Sequence, residues 1–353
     1  MGVERKLDSF RQLLPTAHCH SIIVTDSSPK GSGCSPPWRS RNSAIEYPTY
    51  SGGMRIVSLL PSTTEVVFDL GLEDDLLGVT FECNYPPRAR VGREIVVGGM
   101  DTKHLQPDEI DALVRSRLAA GDELYTLDEA ALARCNPDLI LSQDLCRVCA
   151  VPSGNVDEAV ERLGCHAQVL QIDPQTLDEV IDSVLTIADA AGVPERGRSL
   201  VESLIARLDA VTNAVALLPG NRPRPTVFVL EWVDPPFLGG HWVPDLVRAA
   251  GGEPVLSRSG DKSIPTTWED IEAADPDHIL VAPCGYDLEG ATTQARMVLD
   301  RMPARAAIWA IDADAVVVRP GPRLVDGVEA IAGAIHGSEA GFDLPNTVIR
   351  RLR

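Results

Sequence analysis

Between Glu195 and Leu218 the apolar residues Leu200, Val201, Leu204, Ile205, Leu208, Val211 and Val215 recur at steps of three and four, which sets them on one stripe of an α-helix. Gly192-Val193-Pro194 precedes the run and Leu218-Pro219-Gly220 follows it. Proline is tolerated in a first helical turn, and a Pro-Gly pair stops a helix. At 1.5 Å per residue such a helix is about 36 Å long, roughly the width of a small domain. Alternating strand and helix signals lie on either side of it. The pattern predicts an α/β protein of two lobes joined by one stiff helical spine, and 353 residues suffice for two cores.

The formal net charge of −19 argues against a nucleic-acid or anionic-membrane partner, since either calls for a basic face. No apolar run approaches the roughly 18 residues that a membrane span needs, so no membrane insertion is expected. Residues 1 to 53 differ from the rest. They carry a net charge of +2 against −21 for residues 54 to 353, and stretches such as Ser27-Ser28-Pro29-Lys30-Gly31-Ser32-Gly33 are loop chemistry. They are read as a disordered tail or an artefact of start-site choice, Met54 standing directly before the first strand. The absence of an apolar leader ahead of Cys19 or Cys34 gives the expectation of a cytoplasmic protein.

In the folded part, Arg55 to Leu60 reads as a strand, and Ser62 with Glu65 three residues on reads as a helix start of the capping-box kind. Leu76 to Phe81 is the next strand and ends in Glu82-Cys83-Asn84-Tyr85-Pro86-Pro87. Helices near 107–119 and 128–134, a short strand near Leu124, a buried strand over 137–142, a helix over 156–163 and a strand over 167–172 complete a lobe spanning 54–174. Residues 175–220 are linker and spine. The second lobe, 221–337, holds a strand over 225–231, an aromatic loop from Trp232 to Trp242, helices over 243–250 and from Thr267, and Pro276-Asp277-His278-Ile279-Leu280-Val281. This last run echoes Pro137-Asp138-Leu139-Ile140-Leu141-Ser142. Residues 338–353 are read as a tail. Strands and helices in this alternation imply mostly parallel sheets, whose ligands bind outside the carboxyl ends of the strands. The loops after Leu60, Phe81, Ser142, Glu231 and Ala282 are therefore expected to face one cleft.

The unusual residues sit in those loops. Cys146-x-x-Cys149, with Cys83 at another strand end, is compatible with a zinc site, a redox pair, a disulfide or plain reduced thiols, with His241 or Cys165-His166 as further ligands. Trp232, Phe237 and Trp242 fall within eleven residues of a chain that is 5% aromatic. They are read either as lobe core or as an apolar wall for a large flat ligand. His241 beside them, Gln143 after the first Pro-Asp strand, and Arg319 in the turn Arg319-Pro320-Gly321-Pro322-Arg323 complete the candidates. No G-x-S-x-G, Walker, G-x-G-x-x-G or H-E-x-x-H pattern occurs, so no catalytic residues are assigned.

Arg55-Ile56-Val57-Ser58-Leu59-Leu60-Pro61-Ser62-Thr63-Thr64-Glu65, Asn84-Tyr85-Pro86-Pro87, Asp234-Pro235-Pro236-Phe237 and the late Pro322-Arg323 together resemble the cobalamin-binding members of the helical-backbone substrate-binding proteins of ABC transporters, over about residues 54 to 337. The resemblance implies two Rossmann-like lobes and a monomer that holds cobalamin or a related corrinoid in a cleft between them. Pro61, Glu82, Cys83 and Tyr85 on one side, and Trp232, Phe237 and Trp268 on the other, would be its ligand contacts, with Gln143, Cys146, His241, Trp242 and Arg319 as further candidates. It also implies docking on a permease through one acidic residue per lobe, at Glu129 and Glu269. Combined with the cytoplasmic expectation, this gives an intracellular corrinoid carrier, store or sensor. The alternatives are a siderophore or haem binder on the same fold, and a metal-binding or redox protein using Cys83, Cys146 and Cys149.

Overall fold

The computed structural model describes residues 53–100, 102, 105–143, 153–164, 166–218, 223–337, 341–342 and 346–353, with 153–155 described in backbone only. Two units emerge. One comprises the described residues up to Gly99 together with Tyr125–Ile172, and the other comprises Met100–Leu124 together with Asp173–Arg353.

The first unit is built on a six-stranded sheet of β1 (Ile56–Ser58), β2 (Leu76–Thr80), β3 (Glu94–Gly99), β4 (Tyr125–Leu127), β5 (Leu139–Ser142) and β6 (Gln168–Gln171), in the order β4-β3-β2-β1-β5-β6. All neighbours are parallel except β3 and β4. The central strands β1 and β5 are buried at every position, as expected where helices cover both faces of a parallel sheet. The helices are α1 (Pro61–Asp69), α3 (Glu129–Cys135) and α4 (Ser153–Leu163). Val57, Val96, Leu132, Ile140, Val156 and Ala159 meet in the core. The helix numbered α2 (Pro107–Ala120) falls with the second unit.

The second unit carries β7 (Thr226–Val233), β8 (Pro236–Leu238), β9 (Glu253–Pro254), β10 (His278–Val281), β11 (Ala307–Ile311) and β12 (Ile349–Arg351), in the order β12-β11-β10-β7-β8 with β9 also on β7. β7, β10 and β11 run parallel, whereas β12 and β8 close the two outer edges antiparallel. Its helices are α5 (Leu177–Ala190), α6 (Pro194–Ala216), α7 (Val243–Ala249), α8 (Trp268–Ala274), α9 (Leu288–Met297), α10 (Ala313–Val316) and α11 (Leu324–His336).

The long helix predicted over 195–218 is α6, of 23 residues. Its stripe of Val201, Leu204, Ile205, Leu208 and Val211 is buried. Gly197 lets it approach α5 closely, because a Cβ there would lie 2.4 Å from that of Ala188. The opposite flank is tied down by charge: Arg207 donates to Glu329 at 2.6 and 2.9 Å and to Asp326 at 2.6 Å, linking α6 to α11.

The Pro-Asp echo is structural. α3 and α8 each have seven residues, each follows an N-cap whose side chain accepts a backbone N–H (Asp128 from Ala131, Thr267 from Asp270), and each ends on a left-handed residue, Asn136 at φ 44° and Asp275 at φ 47°. The aspartate after each proline then reaches the first strand of its own sheet. Asp138 accepts from the Arg55 N–H at 3.0 Å and from its guanidinium. Asp277 accepts from the Thr226 N–H and hydroxyl, both at 2.8 Å.

Three sequence expectations are corrected. α1 begins at Pro61 with Leu60 as its N-cap and no side-chain cap, so Ser62 is not a cap; the Thr63 and Thr64 hydroxyls beside it bond to Ser58. The stretch from Trp232 to Trp242 is not all loop, because β7 runs on to Val233 and turns back as β8. Strand β12 occupies part of what was read as a tail.

Hydrogen bonds to Arg55 hold the Asp138 carboxyl below its ordinary range, and those to Thr226 do the same for Asp277. Stability from a depressed carboxylate is present above the ordinary carboxylate range and is lost as pH falls through the folded-state values. Thermal unfolding scanned from pH 7 to pH 3 is expected to show this acid loss in the parent and a flatter acid limb in an Asp138→Asn, Asp277→Asn variant. At pH 7 each substitution is expected to lower Tm by a few degrees, the effect of about 1 kcal/mol.

Candidate functional site

In the first unit the loops that follow β1 and β2 are joined by a buried chain of hydroxyls and one thiol. Ser58 donates to the Leu60 carbonyl at 2.8 Å and shares a 2.7 Å hydrogen bond with Thr63, while Thr64 donates to Ser58 at 2.8 Å. The Cys83 Sγ lies 3.1 Å from the Thr64 hydroxyl and 3.3 Å from that of Thr80, and it accepts from the Thr80 N–H at 3.4 Å. The Thr80 hydroxyl in turn accepts from the Glu82 N–H at 3.1 Å. Cys83 is thus 1% exposed and seated among threonines, which makes it a support for these loops. No group of three or more His, Cys, Asp or Glu side chains suited to a metal occurs among the described residues. Cys146 and Cys149 lie outside them.

Pro61 stands at the first position of α1, half-buried, directly after β1. Tyr85, 40% exposed, precedes a cis peptide to Pro86. Gln143 closes β5. Its side chain is buried, and its amide nitrogen has no hydrogen-bond partner among the described residues. Glu129 opens α3 and pairs with Arg162 at 2.5 Å.

In the second unit Trp232 and Phe237 are cross-strand partners of the β7–β8 hairpin, whose turn contains the cis Asp234–Pro235 bond. The Trp232 N–H donates to the Asp234 carbonyl at 3.1 Å, which closes the turn and leaves the ring as the group on offer. Phe237 pairs in turn with Pro265. A third ring that the sequence reading did not single out, Tyr286, lies 5.9 Å from Trp232 at 49°. It sits in the loop after Ala282, one of the loops expected to face the ligand, so the strand pattern contained the signal. Trp232 and Tyr286 therefore meet at the carboxyl ends of the adjacent parallel strands β7 and β10, with Phe237 across the hairpin from Trp232.

Two other aromatic candidates are used differently. Trp242 is buried and donates its N–H to the Val317 carbonyl at 2.8 Å, so it belongs to the core of this unit. Trp268 packs against the cluster containing Phe228 and Ile279, with the Arg301 guanidinium 4.7 Å above its ring. Glu269 beside it is exposed. His241 has a left-handed φ of 51°, contacts the Gln175 side-chain oxygen at 3.2 Å, and is held neutral by burial and nearby Lys262, which push its pKa down. Gly240 before it admits no side chain, since a Cβ would meet the Ser263 nitrogen at 2.2 Å. Ser263 accepts from the Gly240 N–H at 3.1 Å and donates to Glu231. Arg319 is taken up by Asp314 at 2.9 Å.

With this geometry in view, comparison with known proteins decides the family. The family model described as periplasmic binding protein matches residues 56–320. The chain belongs to the periplasmic binding protein family. Among curated relatives, the vitamin B12-binding protein of Vibrio cholerae is 23% identical over 281 residues, covering 78% of this chain and 87% of that protein. An uncharacterised ABC transporter substrate-binding lipoprotein of Bacillus subtilis is 24% identical over 295 residues, covering 80% of each. Among solved structures, a periplasmic haem-binding protein of Pseudomonas aeruginosa superposes with a TM-score of 0.63 at 20% identity, over 85% of this chain and 98% of that one. The two-lobe α/β class expected from the sequence is thereby shown. The cytoplasmic location is not: a family of periplasmic proteins and a relative that is a lipoprotein conflict with it. That expectation is withdrawn. No helix among the described residues is long and apolar enough to cross a membrane.

Burial separates the cysteines. Cys83 and Cys135 are buried and Cys284 is exposed. Burial, with nearby Glu94, pushes the Cys135 thiol up to about 12. Because the thiolate is the nucleophile, native-state alkylation at pH 8 mapped by mass spectrometry is expected to modify Cys284 and spare Cys83 and Cys135 until denaturant is added. Gly240→Ala is expected to cost about 2–4 kcal/mol, read as a lowered midpoint in urea, because backbone must move to admit the methyl group.

Proposed function

We propose that the protein is the substrate-binding component of an ABC transporter and that its ligand is cobalamin or a related corrinoid. The observation that carries the reading is the aromatic wall of Trp232, Phe237 and Tyr286 at the carboxyl ends of β7 and β10. A wall of flat apolar rings suits a large macrocycle and poorly suits a small polar solute or a strongly anionic siderophore. The similarity to a vitamin B12-binding protein supports the choice of a corrinoid. The haem-binding neighbour makes haem the competing macrocycle. Binding is the whole activity proposed, and no residue is given a catalytic role. Glu269, exposed in the first turn of α8, and Glu129, at the corresponding place in α3, are proposed as the acidic contacts to a permease.

The test is equilibrium dialysis of the purified protein against cyanocobalamin and, separately, haemin. Near-stoichiometric retention of cyanocobalamin is expected. Trp232→Ala and Phe237→Ala should each weaken it roughly ten- to a hundredfold, the scale of removing one buried aromatic ring. Retention of haemin with full loss of cyanocobalamin would replace the corrinoid by a porphyrin. Retention of neither would end the macrocycle reading.

A further inference from the structure

Tyr286 is held more firmly than a loop residue needs to be. Its N–H donates to the Pro283 carbonyl at 3.2 Å, and its own carbonyl accepts from the Asp314 N–H at 3.3 Å. Its ring is seated on the first turn of α9, where residue 290 is glycine. A Cβ at Gly290 would come within 2.6 Å of the tyrosine Cδ1 and 3.1 Å of its Cβ. The other side of the ring leans on Trp232. Loop, helix and hairpin thus fix one phenol at the ligand edge of the sheet. Partial burial raises its pKa, so the O–H is retained at neutral pH.

The polar groups of the wall are unequally committed. Trp232 has spent its N–H on Asp234, and Phe237 has none to give. The Tyr286 side chain is half-buried, and its hydroxyl forms no hydrogen bond among the described residues, so the one polar atom of the third ring is left for something outside the protein. Buried tyrosines normally find a partner for this group.

We propose that Tyr286 is a specificity-determining residue: its ring braces Trp232, and its hydroxyl donates a hydrogen bond to a carbonyl or carboxylate oxygen on the rim of the bound macrocycle. The inference rests on the macrocycle-binding reading. It adds the one directional contact in an otherwise apolar wall. Corrin amides and porphyrin carboxylates both present such an oxygen, and the two arms of the experiment separate them.

The full-length protein and its Tyr286→Phe and Tyr286→Ala variants are titrated with cyanocobalamin in one arm and haemin in the other. Thermal unfolding serves as a check on folding. For the ligand that the parent retains, Tyr286→Phe is expected to weaken binding about five- to tenfold, the size of one neutral hydrogen bond, with an unchanged Tm. Tyr286→Ala should weaken it further, because Trp232 loses its brace. Loss in the cyanocobalamin arm assigns the contact to an amide oxygen, and loss in the haemin arm to a carboxylate. Unchanged affinity in Tyr286→Phe overturns the hydrogen bond, whatever the alanine variant does. A parent that retains neither ligand removes the reading beneath the inference, and the inference falls with it.

Discussion

Parallel pairing of buried strands is the constraint from which the rest follows. Once β1, β2 and β5 run the same way in one sheet, and β7, β10 and β11 in the other, their carboxyl ends must share an edge. After β1, β10 and β11 the chain leaves that edge into a helix, whereas β7 turns back as β8 and β2 passes to β3 without one. Such loops are short, carry unsatisfied backbone groups and have to be fixed by side chains. In the first unit the fixing is polar, through Ser58, Thr64, Thr80 and the Cys83 thiol. In the second it is steric and aromatic, through Gly240, Phe237, Trp232 and Tyr286.

The two units solve one further problem identically. A central strand must start in register with its neighbour, and in each unit an aspartate after a proline holds the start of the first strand by a backbone N–H, of Arg55 directly before β1 and of Thr226 at the head of β7. The left-handed residue that ends the preceding helix turns the chain so that the proline can follow. This is a local device with a long-range effect, because it sets where two strands distant in sequence align. Its recurrence in both units is a structural sign of a repeated design.

Much of this was legible in the sequence. The three- and four-residue spacing from Leu200 to Val211 gave the long helix to within a few residues, and the twin Pro-Asp runs marked two equivalent strands. The edge strands β4 and β12 were blurred or missed, because a strand that pairs on one side carries a weaker apolar signal, and β3 was missed beside them. At the site, composition identified the aromatic cluster but not its members. Trp232, Trp242 and Trp268 look alike in a sequence, yet one closes a hairpin, one donates into the core and one lies beneath an arginine. Tyr286 was overlooked although the strand pattern marked its loop, because a lone tyrosine in a turn stands out in neither periodicity nor composition. Only the β7–β10 pairing brings it beside a tryptophan some fifty residues earlier.

The antiparallel strands that end the second sheet also limit how another protein can take hold of it. An open strand edge invites strand addition, a common route to peptide capture and to aggregation. Here one edge is a three-residue strand containing Arg350 and Arg351, and the other begins with Pro236 and is followed across by Pro265. Arginine keeps such an edge hydrated, and proline lacks the N–H that a new strand would need. Recognition of this unit by a protein partner is thereby directed to side chains on its helices and loops. There it can be specific and reversible.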